Sequence, residues 1–263
     1  MTDITFNLVY FEYFLLILVR IATFMFVAPF FNQQGIPAMS KIGVASIVSI
    51  LVLYTLHPTE EVYTSAIGFG VLIVKEALVG LIMGYAAYLA STIIVFAGNL
   101  IDMEIGFSMV TEFDPSQRMQ VTITGSIYNY FMLMMLVTLN FHQYLIRAIV
   151  DSFQLIPLGG AVLDRELLLS SVTLAMVNYF IVAFRIMLPV FATLMIINCV
   201  LGIMAKVAPQ MNMFAVGIQI KLLAGLAVLL LVSFLFPEVV DFIVTEMKHN
   251  IINLTEGLYD HGV

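Results

Sequence analysis

Four histidines and one cysteine are the residues of this chain best suited to hold a metal or serve as a nucleophile, and their spacing argues against both. His57, His142, His249 and His261 are scattered, with no HExxH pair and no Cys/His cluster of ligand spacing. Cys199 stands alone within an apolar run, where it reads as a small packing residue. No metal and no other cofactor is expected. Asp102 and Glu104 lie two residues apart, which on a helix turns them to different faces, so they do not form a carboxylate dyad. There is no P-loop, no GxSxG elbow and no dinucleotide fingerprint. No catalytic residue is assigned and no enzyme is expected. Proton coupling through Asp102, Glu104 or Glu76 stays open beside the simpler reading that acids bordering an apolar helix are solvated.

The unusual charges lie elsewhere. Arg20, Lys75, Glu76, Arg185 and Lys221 fall inside apolar runs, where each would cost about 2.5–3.5 kcal/mol at the centre of a bilayer. Four cations cannot be neutralised by one anion, and the neighbours Lys75 and Glu76 do not face each other on a helix. Either loops or other subunits supply acids, or the helices sit partly outside hydrocarbon. Both readings predict a component of an assembly with these five residues as inter-subunit charge contacts. Snorkelling of long side chains to an interface is the alternative, most of all for Lys221.

The elements that must position these residues follow from composition. Hydrophobic residues make up 62% of the 263 and charged ones 10%, with a mean hydropathy of +1.08. That exceeds the roughly 45–50% apolar share of soluble domains and predicts an all-α integral membrane protein in lipid, with long kinked helical hairpins and no soluble domain. The net charge of −7 gives no basic footprint, so no nucleic-acid partner is expected. The acidic start MTDITFNLVYFEY carries no positive region, so a removable signal peptide is not expected. About six apolar helical segments are legible, each judged against the roughly 20 residues of a membrane span: 8–31, 42–56, 67–100, 121–141, 167–201 and 211–236. The third is too long for one simple span, so it either runs past the bilayer or breaks near its glycines. Within it GLIMG, residues 80–84, is a small-xxx-small pattern that permits close helix approach. Pro189 should kink the fifth. The turn signal Pro157-Leu158-Gly159-Gly160 divides the chain near residue 165. The tail from Pro237 has apolar residues at helical spacing and reads as an amphipathic helix. Lys/Arg counts on the two sides are balanced and assign no orientation.

Between the third and fourth segments lies the main polar island, GNLIDMEIGFSMVTEFDPSQRMQ, residues 98–120. Asp114-Pro115 biases the backbone away from helix, and Gly98 and Gly106 permit conformations closed to other residues. The island predicts a shaped loop between buried helices. Its apolar residues, Phe107, Met109 and Phe113 among them, either cover a pore mouth or partner groove or fold back on their own helices.

Four stretches in this order, the APFFNQQGIPAMSK turn, KEALVGLIMGYAAYL, AGNLIDMEIGFSMVTEFDP and GIMAKVAPQMNMFAVGIQIKLLAGL, resemble the R-subunit family of the flagellar type III export gate, equivalent to the T subunit of virulence injectisomes. The resemblance spans essentially the whole chain, with Asn99 where many relatives carry glutamine. Residues 1–165 are similar to the P subunit of that gate. Residues 166–263 look like its two-helix Q subunit plus a terminal tail, with Lys206, Pro209, Gln210 and Asn212 in the polar turn of the hairpin. The resemblance implies a non-enzymatic subunit in the bacterial inner membrane at the flagellar basal body. It implies a helical ring with P and Q subunits, contact with the B and A subunits of the export apparatus, and a channel for unfolded rod, hook and filament proteins. It further implies that a loop near 106–120 plugs the channel, with Gly106, Phe107, Met109, Phe113, Asp114 and Pro115 as its gating residues. An injectisome gate subunit and a stand-alone secondary transporter built on broken helices are the alternatives.

Overall fold

The computed structural model describes residues 8–33, 35–56, 66–107, 112–114, 119–210 and 212–259. Among the described residues eight α-helices carry the fold: α1 (Leu8–Val27), α2 (Ala38–Leu56), α3 (Ala66–Ile105), α4 (Ile123–Thr138), α5 (Phe141–Leu155), α6 (Arg165–Val207), α7 (Met213–Val232) and α8 (Phe236–Glu256). Two three-residue strands, β1 (Glu112–Asp114) and β2 (Met119–Val121), pair antiparallel between α3 and α4. Five helical stretches among the described residues are long and apolar enough to cross a membrane, or up to six if α4 and α5 count as one span.

The helix boundaries follow local chemistry. The α1 helix stops short of Pro29, and Phe30 turns the chain with φ +74°. Pro37 stands just before α2, where its fixed φ and missing N–H suit a helix start, and its carbonyl accepts from the Ser40 and Lys41 amides. The third segment does not break at its glycines. It is one helix of 40 residues, about 60 Å long at 1.5 Å per residue, so of the two expectations the longer rod is the one observed. Its buried positions Met83, Ala87, Ala90, Ile94, Ala97 and Ile101 recur at the three- and four-residue spacing of one helix face. The α6 helix, of 43 residues, continues through Pro189. Asn212 begins α7, its side-chain oxygen accepting from the Ala215 amide at 3.4 Å, as an N-cap residue does. In α8, Val240, Ile243, Val244, Met247, Ile251 and Leu254 are buried while Glu238 and Asp241 are exposed, the amphipathic pattern expected for the tail.

Two compact units emerge, each discontinuous in sequence. The first comprises Met1–Ala90, Leu139–Ala175 and Glu246–Val263, and the second Ser91–Thr138 and Met176–Thr245. In the first, Gly80 and Gly84 let α3 lie against α1: a Cβ on Gly80 would collide with the Arg20 carbonyl and the Thr23 hydroxyl, and one on Gly84 would meet the Phe24 carbonyl at 2.9 Å. In the second, Leu223, Leu230 and Leu231 of α7 are each more than half exposed, a surface suited to lipid or to a protein partner.

Candidate functional site

The polar island proves to be a shorter loop than the sequence suggested. Helix α3 continues through Gly98 and Asp102 to Ile105, so the helix ends only at Gly106. Asn99, Asp102 and Glu104 are helical because the flanking apolar positions Ala97, Ile101 and Ile105 stay buried at helical spacing, and this outweighs the local polarity. Gly106 ends the helix with φ +100°, a conformation that side chains disfavour. Phe107 is half-buried. Met109 and Pro115 lie outside the described residues. Phe113 and Asp114 stand in β1, paired with Gln120 and Met119 of β2.

The two ends of this loop are fastened by buried polar groups. Gly98 of α3 crosses Gly125 of α4 so closely that a Cβ on Gly98 would come within 2.5 Å of the Gly125 Cα. Thr122 opens α4, its carbonyl accepting from the Ser126 amide at 3.0 Å. The Thr122 hydroxyl does not cap its own helix; it donates to Asn99 Oδ1 at 2.6 Å. Asp102 takes over that duty from a different helix. Its Oδ2 accepts from the Thr124 backbone N–H at 2.8 Å, and its Oδ1 accepts from the Thr124 hydroxyl. Asp102 is buried and, among the described residues, has no cationic partner. The N-terminal end of α4 and these two donors satisfy its carboxyl oxygens. The reading of this acid as a solvated border residue is therefore corrected. The sequence reading missed Thr122, Thr124 and Gly125. The signal for them was the threonines ahead of an apolar run, a helix-start signature.

Of the five charges inside apolar runs, the structure brings three together in the first unit. Arg20 of α1 donates from Nε to Glu76 Oε2 of α3 at 2.5 Å, with neither side chain exposed. Its Nη1 reaches the Ile156 carbonyl at 3.0 Å and the Ser152 hydroxyl at 3.4 Å, which places the cation at the negative end of α5. The guanidinium carbon lies 4.2 Å from the centre of the Phe153 ring. Glu76 Oε1 accepts from the Gly159 amide at 2.9 Å, and Lys75 Nζ donates to the Gly159 carbonyl at 3.4 Å. Gly159 has φ +75°, so the Pro157–Gly160 turn is shaped to present both of its backbone groups. These contacts correct the expectation that Arg20 and Glu76 must borrow counter-ions from elsewhere. They lie on different helices, and reasoning about neighbours in sequence could not pair them. Arg185 is exposed, 6.0 Å from the Phe242 ring centre, and Lys221 is half-buried. Neither has a carboxylate partner among the described residues.

The α6–α7 turn holds the remaining candidates. Lys206 in the last turn of α6, Pro209 and Gln210 are exposed, and Asn212 caps α7. No group of histidine, cysteine, aspartate and glutamate among the described residues could hold a metal ion.

The family described as Bacterial export proteins, family 1, matches residues 11–247. The chain belongs to this family. The match takes in the buried ion pair, the loop and its anchors, and the α6–α7 turn. Relatives of this export protein include a flagellar biosynthetic protein FliR of Bacillus subtilis (strain 168), 30% identical over 249 residues that cover 93% of the chain and 92% of the relative. FliR of Escherichia coli (strain K12) is 27% identical over 225 residues, 86% and 84% of the two chains. FliR of Aquifex aeolicus (strain VF5) is 28% identical over 219 residues, 81% of each. This export protein is thus similar along most of its length to proteins of flagellar biosynthesis.

Proposed function

We propose that the chain is a non-enzymatic core subunit of the flagellar type III protein export gate, in the bacterial inner membrane at the basal body. It joins P and Q subunits in a helical ring, touches the B and A subunits of the export apparatus, and helps to form the channel that passes unfolded rod, hook and filament proteins. Residues 1–165 act as its P-like half, and residues 166–263 as its Q-like hairpin with an amphipathic tail. The loop from Gly106 to Gln120 seals the channel, with Phe107, Met109 and Phe113 as packing side chains that exclude water yet rearrange when a chain passes.

The observation that carries this reading is the family match over residues 11–247. The flagellar names of the relatives favour a flagellum over an injectisome. Arg185 and Lys221, without carboxylate partners among the described residues, suit contacts with sister subunits. So does an apolar groove of about 580 Å³ between α4 and α7, lined by Tyr128, Phe131, Met134, Leu226, Leu230 and Phe236. The test is to delete residues 107–118 and to reconstitute the purified complex with its P and Q subunits. Intact assembly with raised ion conductance supports the reading. Unchanged conductance overturns the seal, and a chain that transports a small solute alone in liposomes overturns the whole assignment in favour of a secondary transporter.

A further inference from the structure

A second cavity, of about 480 Å³, lies within the first compact unit between α5 and the part of α8 that follows Glu246. Its volume falls in the roughly 300–1,000 Å³ range of small-ligand sites. Both helices are amphipathic. Helix α5 buries Phe141, Leu145, Ile149 and Phe153 and exposes Arg147 and Asp151, and this part of α8 buries Ile251 and Leu254 and exposes Glu256. In the same unit α1 and α2 are long and apolar enough to cross a membrane. Helices with one charged and one apolar face settle at the boundary between hydrocarbon and water, so a cavity between two of them opens at the level of lipid headgroups.

The charges around the cavity have an order. Tyr144, Arg147 and Asp151 line it from α5 and Glu256 from α8. Lys248 of α8 stands with its Nζ 5.2 Å from the centre of the Tyr144 ring. Both cations thus neighbour Tyr144, Arg147 from the next turn of the same helix face and Lys248 by contact, while Asp151 and Glu256 come a turn or more further along their helices. Arg147 and Asp151 have a spacing at which opposite charges can close on each other. They do not: among the described residues no ion pair joins Arg147, Lys248, Asp151 or Glu256. Two cations and two carboxylates sum to zero. A simple anion would be repelled by the acids and a simple cation by the guanidinium, whereas a zwitterion with its own charges a few bonds apart can meet both.

We propose that this cavity binds the headgroup of a phospholipid that carries a phosphate and a primary ammonium, namely phosphatidylethanolamine. The Arg147 guanidinium donates to the phosphate oxygens in the forked geometry that suits them. Asp151 and Glu256 accept from the three N–H groups of the ammonium. Leu155 and Ile252, which line the same cavity and are each more than half exposed, receive the start of the acyl chains. The site stands independently of the gate reading, since none of its residues belongs to the 106–120 loop.

The test is native mass spectrometry of the full chain, purified in detergent, stripped of lipid and titrated singly with dioleoyl phospholipids bearing ethanolamine, glycerol or choline. The parent should hold the ethanolamine lipid about fivefold more tightly than the glycerol lipid, the scale of one solvent-exposed ion pair. The choline lipid, which keeps the cation but has no N–H to donate, should fall between them. Asp151→Asn/Glu256→Gln should erase the preference for ethanolamine over glycerol, and Arg147→Gln should weaken all three lipids because each carries a phosphate. The three side chains are exposed, so both variants should unfold at the parent's temperature. Equal retention of the three lipids by the parent overturns the proposal, as does an ethanolamine preference that survives in Asp151→Asn/Glu256→Gln. Soluble O-phosphoethanolamine that binds as tightly as the lipid overturns the membrane as the source of the ligand. Displacement of the ethanolamine lipid when P and Q subunits are added overturns the lipid as occupant in favour of a sister subunit.

Discussion

Ile105, the last residue of α3, occupies the space that a side chain at Gly225 of α7 would need: a Cβ there would fall 2.6 Å from Ile105 Cγ1 and 2.8 Å from its Cδ1. Ile105 is itself buried. The helix that leads into the loop is therefore socketed on α7 one residue before the chain turns at Gly106.

Gly225→Ala should overfill that socket. Crowding of a packed contact costs about 1–3 kcal/mol, so thermal unfolding of the purified chain in detergent should shift down, and Ile105→Val or Ile105→Ala in the same chain should restore part of the loss. If Gly225→Ala is neutral and Ile105 truncation has no effect upon it, the contact is not a constraint.

Gly106 offers a cleaner probe of the loop, because among the described residues no atom beyond its chain neighbours lies within 4 Å of where its Cβ would be. Gly106→Ala therefore acts only through the backbone, where a side chain at φ > 0 costs about 1–2 kcal/mol. Assembly should be retained and ion leak through the reconstituted complex should rise. A leak equal to that of the parent would mean that the turn at 106 does not set the loop's course.

The buried pair predicts a non-additive series. Arg20→Met or Glu76→Leu alone should each lose about 3–5 kcal/mol in unfolding experiments, since the remaining partner is left without its counterpart. The double variant Arg20→Met/Glu76→Leu should lose clearly less than the sum of the singles. It will not recover fully, because the Gly159 amide and the Ile156 carbonyl also lose their partners. Strict additivity would show that the two residues do not stabilise the fold as a unit.

Arg185→Met and Lys221→Met should behave in the opposite way. Neither residue has a carboxylate within the described chain, so unfolding of the isolated chain should shift by no more than about 0.5 kcal/mol. Co-elution with P and Q subunits should nevertheless fall if those subunits supply the acids. Normal co-elution of both variants would remove these residues from the inter-subunit contact.

Much of the fold was legible because hydropathy alone marks helices in a chain this apolar. The packing role of Gly80 and Gly84 was signalled by their spacing, whereas α2 starts at Ala38, four residues ahead of the apolar run that marked it. The boundaries failed where tertiary burial outweighed local polarity: Asn99, Asp102 and Glu104 read as loop but are helical. The charge pairing of Arg20 with Glu76 was illegible for a different reason. Periodicity says which face a residue is on but not which distant helix that face will meet. The same limit hid Thr124, whose partner lies 22 residues earlier. Among the described residues no carboxylate pairs with Arg185 or Lys221.

The linkage of Arg20 to Glu76 also bears on how the protein is made. Arg20 leaves the ribosome 56 residues ahead of Glu76, and its other acceptors at Ser152 and Ile156 come later still. Until α3 is made, Arg20 lacks the carboxylate that pairs with it in the fold. The pair can therefore close only once α3 has been made, so a contact that the mature fold hides completely joins the first helix to one synthesised well after it.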